Sequence, residues 1–193
     1  MRAEADYRLF YALLDDLTPL AADCGTVCDA ACCRDCSGMR LFPGEEGVIA
    51  SLMSETDGFT FRQAGQDTLL VCNGHCWRGI RPLACRIFPL FPYVDEKGRV
   101  KAVYDPRAWR VCPLVKECRP VSVGGVTPSE STVADKTYTL QRPFVRAVRR
   151  IGRLLMQDDR CRTFLMEQSR EIDDINRFLR LEEMRAPICR RRP

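Results

Sequence analysis

The sequence predicts an α+β fold that is mainly helical, built around a small irregular cysteine-rich metal-binding core with short β-hairpins. Three observations predict it. The chain has 193 residues and 12 cysteines, and ten of these cysteines fall between residues 24 and 118. Apolar residues at helical spacing lie on both sides of that region. Short segments bounded by turn residues, which favour hairpins, lie within it.

An apolar stripe predicts an N-terminal helix over residues 4–21 that packs on the metal core. Thr18-Pro19 marks the end of this helix or a kink in it. The stripe consists of Leu9, Phe10, Leu13, Leu14 and Leu17.

A second, shorter helix is predicted from Pro43 to about Glu55. Proline suits the first turn of a helix, where its missing N–H costs nothing. Glu45 and Glu46 would then lie at the positive end of the helix dipole.

Two hairpins are predicted between the cysteine clusters and after them. Phe59–Gln63 and Thr68–Cys72 form the first pair of strands, and the second strand carries Cys72. Leu90–Val94 and Arg99–Tyr104 form the second pair, joined by an Asp-Glu-Lys-Gly turn.

The remainder of the chain predicts a linker and a helical pair. Residues 120–135 are small and polar, which is typical of a linker. Helices are predicted at about 138–157 and 159–184. We therefore divide the chain into a cysteine-cluster domain (1–119), the linker, and a C-terminal helical hairpin (136–193) that packs on the first domain.

The composition indicates which chemistry the thiols serve. Hydrophobic residues make up 46% of the chain and charged residues 29%. The N-terminus has acidic residues where a secretory signal would be basic and apolar. No stretch of about 18 apolar residues occurs, so no membrane span is expected. We expect a cytoplasmic protein, in which clustered thiols are metal ligands more often than disulfides.

Ten thiols are candidate metal ligands, since thiolates select zinc, copper(I) or iron–sulfur clusters. Ten exceed the needs of one tetrahedral site, and two four-thiolate centres are the simplest arrangement. Cys161 and Cys189 lie beyond the linker, and we expect a buried core residue and a terminal thiol there. The ten candidates are Cys24, Cys28, Cys32, Cys33, Cys36, Cys72, Cys76, Cys85, Cys112 and Cys118.

Charged residues near the second cluster fit an anionic centre. Arg78, Arg81 and Arg86 lie in a stretch without acidic residues. Their guanidinium groups would offset thiolate charge and donate to sulfur, although ordinary surface charge is the alternative. His75, the one histidine of the chain, lies between two candidate ligands, so it is a ligand or, more simply, a neighbour of the centre.

Several enzyme classes leave no signature in this sequence. A single histidine excludes a Cys-His or Ser-His-Asp site away from the metal region. Neither a dinucleotide fingerprint nor a phosphate-binding loop occurs. The radical-initiating spacing Cys-x3-Cys-x2-Cys is also absent, and no thioredoxin-like pattern surrounds Cys33–Cys36.

The spacing of the cysteines resembles a known family. Cys-x3-Cys-x3-Cys-Cys starts at Cys24, Cys-x3-Cys-x4-Arg-Pro-x2-Cys-Arg-x-Phe-Pro starts at Cys72, and Cys112-Pro113 follows. This pattern resembles the YkgJ-like cysteine-cluster family, described as a zinc- or iron-chelating domain. The resemblance covers residues 24–113 and implies the ligand positions Cys24, Cys28, Cys32, Cys33, Cys72, Cys76, Cys85 and Cys112.

The sequence departs from the family pattern in two ways. Cys36 and Cys118 are additional here, and the family often has two residues, not three, before its double cysteine. The cysteine region is also similar to that of flagellin lysine methylases, and this resemblance implies an iron–sulfur cluster.

Three functions follow as hypotheses. The first is an iron–sulfur protein, with a [4Fe-4S] cluster, in redox chemistry or cluster-dependent modification. The second is a zinc-stapled structural or interaction module, with Zn²⁺ in place of the cluster. The third is a cluster-dependent protein methyltransferase, although no methyl-donor site is evident.

The charge of the chain is uneven. Residues 1–120 carry 15 basic and 16 acidic residues, whereas residues 121–193 carry 15 and 10. Five arginines of the first C-terminal helix share one side of it, and we expect acids of the next helix, such as Glu167, Glu171, Asp173 and Asp174, to balance them. The alternative is that these arginines bind an anionic partner, either nucleic acid or an acidic protein surface. The expected partner of the protein is a protein or redox partner, and nucleic acid is not expected. The five arginines are Arg142, Arg146, Arg149, Arg150 and Arg153.

Overall fold

The computed structural model describes residues 4–21, 29–33, 38–54, 58–72, 78–112, 115 and 140–179. About half of these residues are helical, and two small antiparallel sheets account for most of the remaining regular structure. The α-helices of this part of the chain are α1 (Tyr7–Leu14), α2 (Glu46–Leu52), α3 (Leu83–Ile87), α4 (Arg142–Leu155) and α5 (Asp159–Leu179). Short 3-10 helices occupy Ala31–Cys33, Arg78–Ile80 and Pro106–Arg110.

The N-terminal helix exists but is shorter than the predicted span. Helix α1 begins after Asp6, whose side chain accepts a hydrogen bond from Leu9 N at 3.1 Å, an N-cap. Its buried face is Tyr7, Phe10, Tyr11 and Leu14, with i, i+3, i+4, i+7 spacing. Leu9 is 42% exposed, so its place in the predicted buried stripe is wrong. The two tyrosines take the buried positions instead.

The first sheet has three strands in the order β1–β3–β2. The strands are β1 (Met39–Arg40), β2 (Phe59–Ala64) and β3 (Asp67–Cys72). The β2–β3 hairpin confirms the prediction, and its register pairs Phe59 with Cys72. Its turn requires Gly65, whose φ of +65° suits glycine. Strand β1 has only two residues, too few for a recognisable sequence pattern.

The second sheet is the hairpin of β4 (Leu90–Val94) and β5 (Val100–Tyr104), as predicted. Helix α4 packs on both strands, and α5 packs on β4. Glycine is required at residue 152, because a Cβ there would lie 2.5 Å from Cβ of Pro92 and 2.6 Å from Cγ1 of Val100. The two predicted C-terminal helices are therefore confirmed as elements, with ends inside the predicted bounds.

The centre of the described fold is apolar. Its largest fully buried side chains, apart from one glutamate, are Phe10, Phe144, Leu14, Ile49, Leu83, Ile87, Leu90, Ile151, Leu155, Leu165 and Ile172. These residues come from all five helices and from the second hairpin. Burial of this apolar surface, at about 25 cal/mol per Å², is what draws the elements together.

The predicted fold class, a mainly helical protein around a cysteine-rich metal-binding core, is therefore wrong. Two small sheets and five helices enclose an aliphatic and aromatic core. Within the described residues, no group of three or more His, Cys, Asp or Glu is placed to hold a metal ion. The cysteines are dense in the sequence, but aliphatic and aromatic side chains of the helices and of the second hairpin occupy the centre of the described fold.

The predicted division into domains stays a prediction, because the linker at 120–135 lies outside the described residues. None of the helices in the described ranges is long and apolar enough to cross a membrane.

Candidate metal centre

Three candidate cysteines line one cavity of about 280 Å³. Cys32 lies in the 3-10 helix Ala31–Cys33, Cys72 is the last residue of β3, and Cys85 lies in the middle of α3. All three side chains are half-buried. Segments that are far apart in the sequence therefore bring thiols to the wall of the same cavity.

The other candidates are placed differently or not described. Cys112 is buried, with 4% of its surface exposed, and follows Val111, which lines the cavity. Its backbone N–H donates to the carbonyl of Ala108 at 2.8 Å. Cys24, Cys28, Cys36, Cys76, Cys118, His75 and the side chain of Cys33 lie outside the described residues.

The thiols described at the cavity wall do not form a complete ligand set. Cys32, Cys72 and Cys85 are a soft donor set of the type that zinc and iron–sulfur clusters require. They share a cavity, but in the described ranges they are not close enough together to hold a metal ion. A centre at this wall would therefore need thiols from the cysteines whose side chains are not described.

The cavity is mainly apolar away from the thiols. Phe42 stacks with Phe91, the ring centroids lying 6.3 Å apart, and its centroid lies 5.1 Å from that of Phe164. All three rings line the cavity, as do Phe59 and Phe88. Such a lining excludes water from whatever the thiols bind, which strengthens electrostatic interactions there.

A polar cluster forms another part of the wall. The Arg107 guanidinium donates to both carboxylate oxygens of Asp105 at 2.8 Å, and to Oε1 of Gln168 at 2.8 Å. Two parallel N–H···O bonds make this a bidentate pair with little net charge. Burial opposes the charge of Arg107, but its hydrogen bonds to the Asp105 carboxylate hold the pKa of Arg107 above its usual range.

Glu45 lies at the start of α2, as predicted, but its side chain is fully buried, which the sequence did not predict. One carboxylate oxygen accepts from the Tyr11 hydroxyl at 2.6 Å and from Leu83 N, and the other accepts from Phe42 N at 3.0 Å. Burial raises the pKa of Glu45, and these hydrogen bonds partly offset the effect.

The hydrogen bond from Leu83 N connects Glu45 to the helix that lines the cavity. Leu83 is the first residue of α3, so the carboxylate binds the backbone at the N-terminus of the helix that carries Cys85. Glu45 therefore positions Cys85. The only sequence signal for this role is that Glu45 stands beside Glu46, which alone suffices to interact with the helix dipole.

Arg86 positions the same segment from the other side. It is 9% exposed and donates to the carbonyls of Arg81 at 2.8 Å, Arg78 at 2.9 Å and Gly79 at 2.8 Å. Its guanidinium also lies 4.4 Å from the centroid of the Tyr11 ring, a cation–π distance. Burial lowers the pKa of Arg86.

The three arginines predicted to lie beside sulfur have separate placements. Arg78 donates to the carbonyls of Asp15 at 3.1 Å and Leu17 at 3.0 Å, beyond the end of α1. Arg81 lines the cavity together with Cys85. The hydrogen bonds of Arg78 and Arg86 thus hold the backbone, and their contact with metal-bound sulfur stays a prediction.

Cys161 confirms the prediction of a buried core residue. It is fully buried in α5, with Sγ 3.4 Å from the Tyr7 hydroxyl. That hydroxyl also donates to the Pro43 carbonyl at 2.7 Å. Burial raises the pKa of the Cys161 thiol to about 11. Cys189 lies outside the described residues.

Comparison of the chain with protein-family models, with curated proteins and with solved structures gives no match.

Proposed function

We propose that this protein binds an iron–sulfur cluster, of the [4Fe-4S] type, and uses it in redox chemistry or in cluster-dependent modification. The observation that supports the proposal is the convergence of Cys32, Cys72 and Cys85 on one cavity wall. Thiolates are the usual ligands of such clusters. The resemblance of the cysteine spacing to the YkgJ-like family is part of the same proposal.

These three thiols would hold the cluster together with cysteines outside the described residues. A bound cluster supplies one-electron transfer. The chain's own contribution is to orient Cys85 through Glu45 and Arg86, and to exclude water through the phenylalanines of the cavity. Exclusion of water favours a cluster of low net charge, which is one way in which proteins tune potential.

Purification without oxygen tests the proposal. The expected result is a brown protein that absorbs broadly in the visible region and contains iron and acid-labile sulfide in near-equal amounts. A colourless protein with stoichiometric zinc would contradict the iron–sulfur proposal and support the zinc-stapled module instead. A folded protein with neither metal would overturn both.

Matched cysteine variants locate the centre. Cys85→Ser should lose metal and most soluble expression, since metal binding and folding are coupled in thiolate sites. Cys161→Ser, away from the cavity, should keep its metal content. Normal metal content in Cys85→Ser would remove Cys85 from the ligand set.

A further inference from the structure

Helix α4 carries a narrow row of positive charge. At about 100° per residue, its five arginines fall within an arc of about 100°. The helix rises by about 16 Å from the first arginine to the last. We call this row the arginine stripe, and it consists of Arg142, Arg146, Arg149, Arg150 and Arg153.

The stripe lies directly opposite the buried face of α4. That face includes Phe144, Val148, Ile151 and Leu155, all fully buried. Contacts of α4 with β4 and β5 cover this face, so the arginine side points away from the hairpin. All five arginines are exposed.

The stripe has no counter-charge in the part of the chain that the structure describes. No ion pair there involves any of its five arginines. Three of the four α5 acids that were expected to balance it bind elsewhere, and the fourth, Glu167, forms no ion pair with the stripe among the described residues. Glu171 lies 3.5 Å from Arg40, and Asp174 lies 3.3 Å from Arg177.

Asp173 completes this pattern, because its carboxylate accepts from the Tyr93 hydroxyl at 3.1 Å. Helix α5 lies on β4 and directs these acids towards other partners. The expectation of internal neutralisation is therefore wrong for the described contacts. Arginines at i, i+3 and i+4 repel one another, and no ion pair among the described residues compensates this repulsion.

We propose that the arginine stripe binds the phosphate backbone of double-stranded nucleic acid, without reading its sequence. A guanidinium group presents a planar donor fork that matches phosphate oxygens. A linear row of such groups complements a linear polyanion. The proposal is independent of the metal centre and reverses the expectation from sequence that nucleic acid is not a partner.

The apolar residues favour nucleic acid over an acidic protein. Stable protein interfaces have an apolar or aromatic centre. The exposed large apolar residues of the described chain lie on other elements, namely Leu9, Leu52, Met166, Phe178 and Leu179. The stripe contains no aromatic residue, which also disfavours single strands, since these bind by base stacking.

Fluorescence anisotropy with a short labelled DNA duplex and the full chain tests this inference. If about four or five phosphates are contacted, affinity should fall by about 10²-fold or more between 50 and 200 mM salt. Changing all five stripe arginines to Gln should abolish binding at low salt. Changing them to Lys should retain the salt dependence, because the charge remains.

A charge-matched variant is the control. It carries the same number of Arg→Gln changes at exposed positions away from the stripe, namely Arg8, Arg62, Arg160, Arg170 and Arg177. It should bind the duplex with nearly the salt slope of the wild type. Circular dichroism and thermal melting of both variants establish that they fold.

Four outcomes would overturn the proposal. One is no duplex binding by the wild type at low salt. Another is equal loss in the control variant, which would mean that net charge alone matters. The others are competition by polyglutamate as strong as that by unlabelled duplex, and tighter binding to phosphatidylserine vesicles than to duplex. These would assign the stripe to an acidic protein or to a membrane surface.

Discussion

Cys85 and Cys161 lie in helices that are stabilised in opposite ways. Cys85 belongs to α3, which has five residues, whereas Cys161 belongs to α5, which has 21. A helix shorter than about 12 residues is marginal by itself. Helix α3 therefore depends on Glu45 at its first N–H and on Arg86 at the preceding turn. Helix α5 is held by the apolar packing of residues such as Leu165 and Ile172.

This difference shows that the candidate ligand Cys85 and the core residue Cys161 are held in place by different interactions. The thiol at the cavity wall has its position set by charged side chains that bind backbone groups. The thiol in α5 has its position set by packing, and burial keeps it protonated, with its pKa raised to about 11. Variants around Cys85 should therefore affect both stability and metal content, whereas variants of Cys161 should have a small effect on stability alone.

The largest effect is expected for Glu45→Ala. It removes the acceptor of three buried donors, each of which costs about 1–3 kcal/mol when unpaired. Loss of the buried carboxylate offsets part of that cost, and we expect a net loss of about 3–5 kcal/mol, measured by urea unfolding. Glu46→Ala is the matched control, because Glu46 is exposed and its loss should cost under about 1 kcal/mol. Equal losses in the two variants would contradict the special role of Glu45.

The next effect is expected for Arg86→Met. Methionine keeps most of the side chain's volume but leaves three backbone carbonyls without their donor, at about 1 kcal/mol or more each. We expect a loss of about 2–4 kcal/mol in unfolding free energy, together with lower metal content in protein purified without oxygen. Arg170→Met, at an exposed position, should change neither quantity. An Arg86→Met protein as stable as the wild type would show that the turn before α3 keeps its conformation without these hydrogen bonds.

A smaller effect is expected for Cys161→Ala. The change removes one buried sulfur atom and costs about 1 kcal/mol, the scale of one buried methylene group. Metal content should be unchanged. Combining it with Cys189→Ser should change metal content no further. Loss of half the metal in the double variant would mean that the C-terminal region donates ligands.

The last expected effect is a dependence on pH. Burial raises the pKa of Glu45 above its ordinary value of 4.5, so the folded state binds that proton more tightly than the unfolded state. This contribution to stability is present below about pH 4.5 and is lost as the pH rises through the folded-state pKa. In urea unfolding, wild type should therefore lose stability relative to Glu45→Gln as the pH rises. A constant difference between the two proteins would show that Glu45 does not titrate in this way.

Local patterns predicted the elements well, and the reason is physical. Two short apolar segments and the Asp-Glu-Lys-Gly turn between them specified the β4–β5 hairpin, since both signals act within a few residues. The 3.6-residue apolar period of α4 and α5 was equally readable. Leu9 was misassigned because tyrosines can be buried as readily as leucines when their hydroxyls have partners.

The residues of the candidate site were predictable only in part. The soft chemistry of Cys32, Cys72 and Cys85 follows from residue type and spacing, because sulfur ligation is a property of the side chain. Their convergence on one cavity depends on which segments meet, and spacing along the chain does not contain that information.

The sequence by itself determined the longer helices, the two hairpins and the residue types available for metal binding, because propensity, turn chemistry and ligand softness are local properties. Only the tertiary structure decided where charge is neutralised. It buried Glu45 against the backbone of α3 and turned Arg86 onto three carbonyls. It also paired three acids of α5 with Arg40, Arg177 and Tyr93, which left the arginine stripe without an ion pair in the described chain. Partners of charged groups are set by the packing of whole elements, so they follow from the fold and not from neighbours in sequence.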